Sequence, residues 1–194
     1  GNIGGNLGTV WAQRGHEIAF GARDPASPKA RAALASAPSA QVMTPQQAAD
    51  FGEAVVIAVP GGSVREVIPT LGDLAGKIVI DTTNRISSSP DDGPSAAEDI
   101  AAMLPGARVV KAYNTMAAET LLHPVIGGQP VTAFFCGDDA EARAVVARMT
   151  TEIGLDGVDA GGLTMARYLE GFVFVYVGLA RTMGRRIGFR LLRD

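Results

Sequence analysis

Four residues at the start of the chain and one arginine beyond them have the types and spacing to hold phosphate. Gly1, Asn2, Ile3 and Gly4 read GxxG, and the segment GARDP places Arg23 just past Gly21 and Ala22. In a dinucleotide-binding turn, one glycine lets the backbone touch a pyrophosphate and the next lets helix and strand pack closely. Gly1 and Gly4 fit those two places, with the amides of Asn2 and Ile3 facing phosphate and favoured by the helix dipole. About 20 residues on, where such units read the ribose, an acid would accept a hydrogen bond from a 2′-hydroxyl. Here Ala22 and Arg23 come before the first acid, Asp24. A guanidinium meets a 2′-phosphate with paired, charge-assisted hydrogen bonds, so the spacing predicts NADP in preference to NAD.

The rest of such a ligand falls to residues just after buried strands, because ligands of open parallel sheets sit outside the strands' carboxyl ends. These are Val59, Pro60 and Gly61; Thr82, Thr83 and Asn84; and Tyr113, Asn114, Thr115 and Met116. Pro60 and its glycines make a donor-poor wall suited to a planar ring. Asn84, Asn114 and Thr115 offer uncharged hydrogen bonds, although Asn84 and Thr115 could equally cap the next helix. No strand end carries a Ser/His/Asp or Cys/His set or a lysine beside an acid, so no residue is assigned a catalytic role. His16 reads as structural, His123 as a surface residue, and Lys111 and Tyr113 as facing packing or solvent. Hydride transfer between two ring cofactors needs alignment and exclusion of water more than acid–base groups. The empty inventory fits that reaction, and it also fits a protein that binds NADP without turnover. Two histidines and one cysteine, Cys136, are too few for a His/Cys metal cluster, and no metal is expected.

These residues need elements to position them. Ile3, Leu7, Val10 and Trp11 recur at helical spacing over residues 2–14, with Gly15 as a left-handed cap. Residues 16–23 alternate as a strand; a helix containing Arg31 to Leu34 and a short strand at residues 41–43 follow. Thr44 caps the next helix, which has Pro45 at its first position. Residues 54–60, 77–84, 107–115 and 131–139 are apolar runs of the kind buried on both faces of a sheet, and helical stretches at 63–71, 95–104 and 140–153 separate them. That alternation predicts an α/β fold, a Rossmann-type doubly wound parallel sheet. Its domain spans residues 1–162, and a helical segment at 163–194, broken near Gly184, packs on it. Residues 86–95 read as a long mobile loop. The apolar run 172–180, fenced by Glu170 and Arg181, reads as a buried helix too short for a bilayer. The glycine pattern also expects, before Gly1, another glycine, a spacer and a central strand of about 6 to 9 residues. The first strand is therefore expected to be truncated, or its slot filled otherwise.

A net charge of −3 over 194 residues argues against nucleic-acid or acidic-membrane partners and leaves a small anionic ligand open. The lone cysteine and the lack of a hydrophobic leader point to the cytoplasm.

The segments GNIGGNL, GHEIAFGARDP, VVIAVP, KIVIDTTN, GPSAAEDIAAMLPGARVVKAYNTM, FFCGDDAEAR and DAGGLTMARYLE, in that order, resemble the NADPH-dependent reductases of the deazaflavin coenzyme F420 and their wider NADP-binding relatives. The resemblance implies that Gly1, Asn2 and Ile3 lie against the dinucleotide and that Ala22 and Arg23 hold the 2′-phosphate, where Ser-Arg is usual. It implies further that Val59, Pro60, Val64, Asn84 and the segment from Asn114 to Ala117 flank the nicotinamide. The C-terminal helices, including residues 183–187, would close over a second cofactor and pack in a homodimer. Coenzyme F420 is the implied hydride acceptor; an imine, a small ketone, or a flavin feeding a metal are the other acceptors considered.

Overall fold

Short-range chemistry sets four of the eight α-helix starts among the described residues. Ser27, Thr44, Ser95 and Asp139 each accept a hydrogen bond from a first-turn amide, and Thr44 and Ser95 complete capping boxes with Gln47 and Glu98. The computed structural model describes residues 1–85, 89 and 91–193. Helix α1 (Asn2–Ala12) leads to β1 (Ala19–Gly21), α2 (Pro28–Ser36), β2 (Gln41–Met43), α3 (Pro45–Phe51) and β3 (Ala54–Ile57). A broken helix follows, with α4 (Val64–Val67) between the 3-10 turns Gly61–Ser63 and Ile68–Thr70, and then β4 (Ile78–Asp81), α5 (Ala96–Met103) and β5 (Arg108–Ala112). The chain continues through α6 (Ala118–Leu122), the hairpin strands β6 (Val125–Ile126) and β7 (Gln129–Pro130), β8 (Thr132–Gly137), α7 (Ala140–Glu152), β9 (Asp156–Asp159) and α8 (Ala166–Met183).

Strands β3, β4, β5, β8 and β9 form one sheet in that order, and β1 pairs with β2 in a separate parallel ribbon. Core clusters cover both faces of the larger sheet. Leu7, Trp11, Leu121 and Val146 gather on one side, and Ile68, Ile100, Leu104 and Leu169 on the other. The architecture is therefore a doubly wound, mostly parallel α/β layer with a C-terminal helix.

Three expectations need correction. The strand β8 runs antiparallel to β5, whereas β3, β4 and β5 are mutually parallel and β8 is parallel to β9. The link between them carries only the five-residue α6 and a small hairpin rather than a full crossover helix of the kind that usually returns a parallel strand. Secondly, α8 is not a buried helix. It packs through Ala166, Leu169, Glu170 and Tyr176, while Phe174, Val175, Val177 and Leu179 stand exposed. By length and composition the stretch Leu163–Met183, 21 residues of mean hydropathy 1.3, is long and apolar enough to cross a membrane. Thirdly, no second helix follows Gly184 among the described residues. The tail returns to the sheet instead, with Thr132 N donating to Phe189 O at 2.8 Å and the Phe189 ring edge-on to Phe172. Of the loop expected at residues 86–95, residues 86–88 and 90 lie outside the described residues.

Candidate cofactor site

At the phosphate end, α1 begins at Asn2 with Gly1 as its N-cap and no side-chain cap. The first helical bond is Gly5 N to Gly1 O, 2.9 Å, so the amides of Asn2, Ile3 and Gly4 have no acceptor within the helix. A Cβ on Gly4 would stand 3.0 Å from the Cβ of Ala58, just past β3. The glycine is what lets the helix start lie against the strand's carboxyl end. Asn2 is exposed, and Ile3 packs half-buried against the core.

The loop after β1 reaches the same edge. Ala22 is half-buried, its N–H donating to Met43 O at 2.9 Å. Arg23 points outward, its Nη1 3.2 Å from Glu66 Oε1 on α4, with the two side chains 86% and 70% exposed. A pair so open to water is worth little, on the order of 0 to 1 kcal/mol, and an incoming phosphate can displace it.

At the ring end, the turn after β3 touches the turn after β4. A Cβ on Gly61 would lie 2.3 Å from the carbonyl oxygen of Asn84, so glycine alone fits where these loops cross. Val59 is half-buried and Pro60 exposed, whereas Val64 lies in the core beside Ile68 and Leu71. Asn114 is buried; its Nδ2 donates to Asn84 Oδ1 at 2.9 Å and to Leu169 O at 2.8 Å. Neither asparagine caps a helix; Ala117 is the N-cap of α6 and is buried. Asn114 Oδ1 and Thr83 Oγ1 are the buried side-chain oxygens without a hydrogen-bond partner among the described residues. The chain turns at Tyr113, the one non-glycine residue with positive φ (60°) among those described. Its ring lies edge-on to Trp11, and its hydroxyl meets Thr150 Oγ1 at 2.8 Å. Burial pushes the phenol's pKa well up, so it stays protonated.

The fold thus brings the α1 start, Pro60 and Gly61, Asn84 and Asn114 to one edge of the sheet, with Arg23 near α4 through Glu66. It leaves Val64 and Ala117 behind, in the core. Beside the asparagines, a cavity of about 340 Å³ opens between α8 and the segment after Asn84, lined by Arg85, Ser95, Tyr168, Glu170, Phe172 and Val175. Volumes near this suit a small organic ligand.

Three other titratable candidates have structural settings of their own. His16 pairs with Glu152 at 2.8 Å, and His123 is the exposed C-cap of α6. Burial pushes the Cys136 thiol up to about 12, which keeps it protonated at neutral pH. No group of His, Cys, Asp and Glu suited to a metal occurs among the described residues.

Lys111 faces packing, one of its two expected settings, but it meets two acids there, where no lysine beside an acid was expected. It is fully buried, and its Nζ donates to Asp81 Oδ2 and Glu170 Oε1, each at 2.7 Å, and to Thr83 O. The signal was present in the sequence: a lysine in VVKA, an aspartate in IVID and a glutamate in YLEGF each interrupt an apolar run.

Four similarities to known proteins bear on the chain. The family model for NADP oxidoreductase, coenzyme F420-dependent, matches residues 1–85. The chain is 30% identical to one assigned as an F420-dependent NADP-reductase from Arthrobacter sp. FB24, with a TM-score of 0.89 over 100% of this chain and 96% of that one. It is also 32% identical over 173 residues to rat metalloreductase STEAP3, covering 88% of this chain but only 34% of that protein. An imine reductase from Streptomyces aurantiacus shares the fold at 18% identity and a TM-score of 0.72, over 93% of this chain and 60% of the other. The Rossmann-type layer, its glycine turn and the near-complete structural match place this chain in the F420-dependent NADP oxidoreductase family.

Proposed function

We propose that the chain transfers a hydride between NADP(H) and a second planar cofactor, with the deazaflavin F420 as the first choice. The observation that carries this is the convergence on one sheet edge of free helix-start amides, an exposed arginine, a glycine crossing and a buried asparagine pair, with a ring-sized cavity next to them. The amides of Asn2 and Ile3 receive the pyrophosphate, and Arg23 exchanges Glu66 for the 2′-phosphate. Val59, Pro60 and Gly61 form one wall for the nicotinamide, and Asn84 and Asn114 present amide groups to it. The orphaned Asn114 oxygen is an acceptor of the kind that a ring carboxamide's N–H would satisfy. When bound, NADPH supplies the hydride; the protein's part is alignment and exclusion of water, which requires no acid–base residue.

Oxidation of NADPH, followed optically against F420, a free flavin, a cyclic imine and a small ketone, tests the reading. Turnover with F420 alone is the expected result. Turnover with the flavin alone would move the assignment toward the metalloreductase type, which the likeness to STEAP3 favours as a second reading. Binding without oxidation by any acceptor would mark a sensor. A second copy of the chain covers the exposed apolar face of α8, and sedimentation at twice the 20.0 kDa chain mass checks that homodimer.

A further inference from the structure

The Lys111 cluster lies outside the roles assigned above, yet its bonds end on the residues that flank the asparagine pair. Lys111 Nζ spends its three donors on Asp81, Glu170 and the carbonyl of Thr83. Asp81 Oδ1 accepts from Thr83 N at 2.9 Å. Glu170 Oε2 accepts from Arg85 N at 2.9 Å, and both of its oxygens accept from Ala96 N, at 3.0 and 3.1 Å, at the start of α5. Asn84 is therefore gripped through the backbone on either side, at Thr83 and at Arg85, by one set of charges. The same Glu170 sits next to Leu169, whose carbonyl receives Asn114 Nδ2. All three charged side chains are essentially inaccessible to water. A buried ion cluster is often no more stable than an apolar one of the same shape, so stability alone does not account for three charges here; fixed geometry does.

We infer that Lys111, Asp81 and Glu170 are positioning residues: a charged clamp that sets the spacing of Asn84 against Asn114 and ties that spacing to the seating of α8. The inference rests on the reading that this pair faces the nicotinamide. Placement matters at this scale, since a displacement near 1 Å at a reacting centre costs about 100-fold in rate.

The test uses the full chain with Glu170→Gln, which keeps the shape but turns one acceptor into a donor facing amides or the ammonium. Three quantities are read: the thermal midpoint, hydrogen exchange of the Asn114 side-chain amide by NMR, and calorimetric binding of NADPH and of 2′,5′-ADP, which carries only the adenosine half. Hydride transfer is followed alongside. The expected result is a folded variant with unchanged 2′,5′-ADP affinity, Asn114 exchange faster by about tenfold or more, and kcat lower by about 10- to 100-fold with little change in KM. Unchanged Asn114 exchange in a folded variant overturns the inference. Loss of protection at Asn114 with undiminished hydride transfer keeps the clamp but rejects the placement of the pair at the nicotinamide, so the two failures are distinct. Asp81→Asn, which retains an oxygen for Thr83 N, is the second variant. Loss of cooperative folding in both would make the cluster a structural strut and overturn the positioning role.

Discussion

Arg23 stands in solvent with one loose partner, Glu66, whereas Lys111, at the other end of the same crevice, is sealed in and bonded three ways. On the proposed reading the adenosine end presents backbone amides and an exposed guanidinium, which can exchange one anion for another at small cost. The ring end is fixed in advance by groups that never meet water. The contrast follows from what each end must recognise. A phosphate is a strong anion that organises its own donors, while a neutral ring gains its orientation only from a preset frame.

Four measurements put that contrast to the test. Lys111→Met leaves two carboxylates buried without their cation and should lower unfolding stability by about 3 to 5 kcal/mol, read from urea melts. Arg23→Ala should leave the melt unchanged and weaken NADPH by about 10- to 100-fold while sparing NADH, since a hydrogen bond to a charged group is worth about 1.5 to 3 kcal/mol. Equal loss for both dinucleotides would remove Arg23 from the phosphate. The third concerns Glu98, which the Arg167 guanidinium, bonded at 2.8 Å through both of its oxygens, holds down at about 2 from an ordinary 4.5. A carboxyl depressed in the folded state contributes stability above its unfolded pKa and loses it as pH falls through the folded one. Arg167→Ala should therefore be less stable than the parent at neutral pH, and the gap should close between pH 4.5 and about 2. The smallest effect belongs to Glu66→Gln, which frees Arg23 and removes a carboxylate from beside the phosphate. Titration should show NADPH binding tighter by about 2- to 5-fold.

How much of this could be read from residues alone depended on the range of the interaction. Thr44 with Gln47 and Ser95 with Glu98 mark helix starts within a few positions, and the apolar runs at residues 54–60 and 77–84 carry strands in their own composition. The approach of Gly4 to the strand end followed from spacing. Strand direction did not, because the sense of β8 is set by the path of the connection before it, not by the residues of β8 itself. The α8 surface misled for a related reason. A run of valine and phenylalanine looks the same whether a core or open solvent faces it. Lys111 was passed over because a single charge in a strand has two common explanations, and only the joining of residues 81, 111 and 170 in space selects the rarer one.

The left-handed turn at Tyr113 ties these halves into a single lever. A tyrosine held at φ 60° stores on the order of 1 to 3 kcal/mol of backbone strain, kept in place by the hydroxyl's bond to Thr150 and the ring's contact with Trp11. Trp11 belongs to the helix whose first turn is proposed to receive the diphosphate, and Tyr113 immediately precedes Asn114. Wedging or thinning the contact between these two rings, deep beneath the surface, would therefore alter how the far end of the dinucleotide is held, although neither aromatic group reaches the crevice.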